Sequence, residues 1–140
     1  MHPKMLFLRY AFACTEDLLQ RGKITEPSFN ELKMIVDNPT LIPGDSVLQE
    51  CFPTACANIR SLGERNGREV WSMENVADFW RNHHGNHRTP VEILMIDMVR
   101  ADGFVRVADA KPRFFHNRYG LDVREGDSVR THVSLIIEKI

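Results

Sequence analysis

Three histidines fall within five residues in the stretch HHGNH, His83, His84 and His87, with Asp78 upstream in the same expected helix. Imidazoles at i and i+4 on a helix can share a transition metal, which makes these three the candidate metal ligands. Gly85 is expected to end the helix between His83 and His87, so the competing reading is a polar last turn whose rings complement the helix dipole. Three cysteines, Cys14, Cys51 and Cys56, are odd in number and lack the spacing of a disulfide framework. CFPTAC has no second half to complete a zinc knuckle, and the thiols read as reduced core hydrophobes of a cytoplasmic protein. The chain has no Gly-rich phosphate loop, no G-x-S-x-G, no H-E-x-x-H and no obvious acid pair. A non-enzymatic protein without a cofactor is the expectation, with an enzyme using a metal at the histidines ranked third.

The second chemical stretch is KPRFFHNRY, where Lys111, Arg113, His116 and Arg118 alternate around Phe114, Phe115 and Tyr119. Cations can track a phosphate backbone while rings stack on bases, as small barrels that bind single strands do. Adjacent phenylalanines on a strand face opposite sides, so one of them enters the interior and the other meets a helix, a partner or a base. Lys111, Arg113, Phe115, His116 and Arg118, together with Arg130 and His132 further on, are the candidate binding residues, and packing against the helices is the competing reading of this stretch. In GDSVRTHVSLIIEKI, Gly126 supplies a turn, Val129, Thr131 and Val133 alternate inward, and Arg130 and His132 share the outward face. Ile136 or Ile137, together with Ile140, is expected to be buried.

The elements that must position these groups change period along the chain. Apolar residues recur at helical spacing from Pro3 to Arg21, from Thr25 to Asn38, from about Ser46 to Leu62 and from Ser72 to Gly85, with Pro53 kinking or restarting the third segment. Beyond NHRTP the period becomes two: VEILMIDMV, FVRVA, RFFHNRY, SVRTHV and IIEKI read as five short antiparallel strands. VEILMIDMV is apolar on both faces and is expected to be covered on both. The fold class is therefore α+β, with about four helices over residues 1–88 packed on a five-stranded antiparallel small barrel of OB or SH3 kind over residues 89–140, the two sharing one core.

With 18 basic against 19 acidic residues, the charge balance names no partner. KMLFLRYAFAC loosely resembles a lipoprotein leader, but Arg9 interrupts its apolar run, and no segment reaches the roughly 18 apolar residues that cross a bilayer.

The C-terminal third resembles the HypC/HupF hydrogenase-maturation chaperone family. The resemblance lies in Gly126-Asp127, Val129, His132 and Ile137-Glu138-Lys139-Ile140, preceded by the strand-turn-strand pattern that starts at Ile93. It implies a small barrel and an accessory role beside hydrogenase-maturation proteins, with His132 matching the family's histidine. The family's cysteine after the initiator methionine has no match, since His2 stands there. The functional expectation is thus a chaperone-like binding protein with a protein partner, and single-stranded nucleic-acid binding is the alternative.

Overall fold

The computed structural model describes residues 1–84 and 89–140, and the chain divides into two compact units, Met1–His84 and Gly85–Ile140. His87 lies outside the described residues.

The first unit is helical: α1 Pro3–Phe12, α2 Thr15–Gln20, α3 Glu26–Val36, α4 Asp45–Cys51, α5 Pro53–Asn66 and α6 Met73–Asp78, which runs on into a π-helical turn Phe79–His83. Two of the four expected helices are broken. Thr15 donates its hydroxyl to the Phe12 carbonyl at 2.6 Å, at the break where α1 ends and α2 begins inside the single helix that apolar spacing implies. Pro53 restarts rather than kinks the third segment, because its ring suits a first helical turn and not an interior one. Thr25 and Ser72 cap α3 and α6 by accepting from the backbone N–H of Ser28 and Asn75.

An aromatic cluster fills the interior of this unit. The Phe7 ring meets Phe52, Trp71 and Trp80 edge-on with centroids 5.2–6.1 Å apart, and Tyr10 stacks on Trp80. Gly63 lies inside α5 and Gly67 ends it in the left-handed region. A side chain at Gly63 would place its first carbon 2.9 Å from the Arg68 carbonyl, so the helix closes on the following loop only where that carbon is missing.

The second unit holds β1 Val91–Val99, β2 Phe104–Val107, β3 Arg113–His116, β4 Ser128–His132 and β5 Leu135–Lys139. Their order is β1-β2-β3-β5-β4, and β4 pairs back onto β1, so the sheet closes. Four of the pairings are antiparallel, but β3 and β5 run parallel, contrary to the all-antiparallel expectation. A ring with an odd number of strands cannot alternate direction all the way round. Inside it Ile96, Val105, Val107, Phe115, Val123, Val129 and Ile136 form the core.

Two further expectations change here. Ile93, Met95 and Val99 are exposed, so the first strand is not covered on both faces. Ile136 and Ile137 are both buried, because a bulge in the β4–β5 ladder resets the alternation, whereas Ile140 is exposed.

Val133 is exposed rather than buried, and it occupies the two-residue β4–β5 turn at φ 56°. A β-branched side chain in the left-handed region crowds its own carbonyl, a cost of about 1–2 kcal/mol that asparagine largely escapes. Val133→Asn is expected to add about 1 kcal/mol of stability, read as a melting temperature higher by roughly 3–5 °C. An unchanged or lower melting temperature would refute the strain.

Candidate binding face of the closed sheet

Register decides what β2 and β3 present. Phe104 pairs with His116, Val105 with Phe115, Arg106 with Phe114 and Val107 with Arg113. Val105, Val107 and Phe115 point into the core, so Phe104, Arg106, Phe114 and His116 lie on the outer side. Phe115, expected as the binding ring, is therefore core, and its neighbour Phe114 is 45% exposed.

The outer side is built from rings and guanidinium groups. Phe104 and His116 stack at 4.9 Å with an 18° interplanar angle, and the Arg100 guanidinium lies 5.4 Å from the Phe114 ring centroid. Ile93 and Met95 add apolar surface on β1, where the Ala108 N–H bonds to the Met95 carbonyl. Charge on this side is balanced locally: Arg106 pairs with Asp97 at 2.8 Å and Arg100 with Asp102 at 2.6 Å.

The remaining expected cations are scattered. Arg113 lies on the Phe115 side of the sheet, its guanidinium 5.6 Å from that ring, gripped by Glu92 at 3.0 and 3.1 Å and by Asp109 at 3.0 Å. Those carboxylates hold Arg113 charged and leave it no phosphate to track. Arg130 pairs with Glu138 at 3.6 Å, both largely buried. Lys111 is exposed, and Arg118 is half-buried.

His132, expected on the outward face of β4, is not open to solvent there. It is fully buried, as is Thr131 before it, so both faces of β4 are covered at this end. Its Nδ1 lies 3.4 Å from the Pro90 carbonyl, and burial pushes the imidazole below its ordinary value.

Of the expected metal ligands, the two described histidines line different cavities. His83 sits 3.5 Å from Asp78 and lines a cavity with Arg65 and Phe79, while His84 packs on Trp80 at 4.3 Å and lines a different cavity. Asp78 is drawn below the usual carboxylate range, first by its hydrogen bond from Arg68. A juxtaposition that sequence spacing hides brings Cys14 Sγ within 4.8 Å of a His84 ring nitrogen. Burial pushes the thiols of Cys14 and Cys56 up to about 11, and Cys51 is raised as well. Burial thus favours the protonated thiol at all three, two of them in the core and Cys14 half-buried.

No family model, curated protein or solved structure matches the chain. The geometry is the ground for a functional reading. Among the described residues, no helix is long and apolar enough to cross a membrane. Phe104, Met95 and Arg100 lie outside KPRFFHNRY and carry no signal in that stretch, which left open whether Phe114 or Phe115 faces outward. The signal that finds them is parity: once Val105 and Val107 are inward, every residue opposite is assigned.

Proposed function

We propose that this is a non-enzymatic binding protein whose closed sheet, a small barrel of OB type, docks a partner protein on the outer side of β2 and β3. The observation that carries the reading is the composition of that side: Met95, Phe104 and Phe114 exposed among guanidinium groups whose charge is already neutralised. Interface cores are enriched in aromatics, methionine and arginine, and depleted of lysine. Single-stranded nucleic acid is the poorer fit. A phosphate backbone approaching Arg100, Arg106 or Arg113 would meet Asp102, Asp97, Glu92 and Asp109 at the same distance.

The OB assignment rests on the β1-β2-β3-β5-β4 order with its parallel β3–β5 pair, and β2 and β3 form the ligand face of that barrel class. Because strand edges pair around the ring, a partner would be held by side chains rather than by strand addition. The hydrogenase-maturation resemblance supports a protein partner, but buried His132 takes no part in the docking proposed here.

A benzophenone amino acid in place of Phe104, in cells that make the protein natively, should give one discrete protein adduct on irradiation. Phe114→Glu and Met95→Glu are expected to reduce that adduct at least tenfold while changing stability by no more than about 0.5 kcal/mol, since both sites are exposed. A nucleic-acid adduct, or a protein adduct indifferent to both variants, would sink the proposal.

A further inference from the structure

The helical unit carries a cavity of about 310 Å³, at the lower end of the roughly 300–1,000 Å³ that small-molecule sites occupy. Its inner wall is mostly apolar, formed by Ala11, Leu18, Phe52 and Trp80, with the Cys14 thiol and the His84 ring beside them. Trp80 is fixed there before any ligand arrives, stacked on Tyr10 with a 9° interplanar angle and braced edge-on by Phe7 and Phe79. A rigid, buried indole is a preorganised surface for a flat or branched apolar body.

The mouth is different. Lys23, Glu50, Thr54 and Asn58 line it, all exposed. Among the described residues neither Lys23 nor Glu50 enters an ion pair, and the side chains of Thr54 and Asn58 have no protein hydrogen-bond partner. The contrast within the same unit is instructive: Asn66, Asn75 and Asn82 are each tied to a carbonyl or carboxylate. Thr54 and Asn58 are four residues apart on α5 and so share one helix face. One cation, one anion and two neutral hydrogen-bonding groups thus rim one apolar cavity.

We propose that the cavity binds a small zwitterion with an apolar or aromatic body, an amino-acid-like molecule. The body lies against Trp80 and Leu18, the carboxylate meets Lys23, the ammonium meets Glu50, and Thr54 and Asn58 take the remaining hydrogen bonds. A purely anionic ligand would face Glu50 uncompensated, and a purely cationic one would face Lys23. The Cys14 thiol in the wall is protonated and adds no charge.

Calorimetric titration of the full chain with L-phenylalanine and L-leucine tests this. Saturable binding is expected, with hydrocinnamate and phenethylamine, each lacking one charged group, at least tenfold weaker, as loss of a charge-assisted hydrogen bond requires. Lys23→Ala should weaken L-phenylalanine at least tenfold yet leave phenethylamine unweakened, and Glu50→Gln should do the converse with hydrocinnamate. Both sites are exposed, so unchanged melting temperatures certify that the variants are folded. No saturable binding of either amino acid up to about 10 mM, or equal binding of the single-charge controls, overturns the proposal.

Discussion

His132→Ala is expected to lose about 2–4 kcal/mol of stability in the isolated protein, the range for deleting a large buried side chain. The imidazole has no measurable exposure and lies at the end of β4, against the Pro90 carbonyl. The same burial sets a pH dependence. Desolvation lowers the folded pKa below the ordinary 6.5, so at a pH between the two values the unfolded chain binds more protons than the folded one. Stability is therefore full above about pH 6.5 and declines as the pH falls from there through the folded pKa. Urea denaturation at neutral pH and at successively lower pH should show this decline in the native sequence and a shallower one in His132→Gln. A loss below about 0.5 kcal/mol in His132→Ala would return the residue to the surface role its sequence position implied.

Asn75→Ala is expected to cost about 3 kcal/mol, because a buried and a part-buried carbonyl each lose a donor. The Asn75 side chain is fully buried, and its Nδ2 donates to Ile59 at 3.0 Å and to Val70 at 2.9 Å. It thereby stitches α5 to the loop before α6, across the close approach that Gly63 permits. Asn75→Asp should be as damaging, since a carboxylate keeps the shape but brings no N–H and adds a buried charge. Thermal or chemical denaturation reads both variants, and an aspartate variant as stable as the native protein would show that the donor is not what matters.

What could be read from the sequence differs between the two units for a physical reason. Strand β1 was bounded correctly because seven of the nine residues from Val91 to Val99 are apolar and the run lies between a proline and a turn. Ser72 and Thr25 were legible as caps because capping is local. Asn75 was invisible, since its partners are 5 and 16 residues away and nothing in MENVAD distinguishes it from a surface asparagine. Phe114 rather than Phe115 is the exposed ring, a choice the sequence did not disclose because strand parity needs the β2–β3 register, which depends on the turn between them. His132 was expected on the outward face of β4, and its burial was not legible because alternation gives only which side a residue takes, and not whether that side is covered.

The closed sheet owes its parallel pair to arithmetic, and that pair is narrow: His116 opposite Leu135 is its one register position, supported by the His116 N–H on the Ser134 carbonyl at 2.8 Å. An additional strand inserted there would run antiparallel to both of its neighbours, which is impossible to arrange at any other place in the ring without creating a new parallel contact. Growth of the ring from five members to six is thus topologically neutral at one seam alone, and that seam is also where the fewest hydrogen bonds must be given up to admit it.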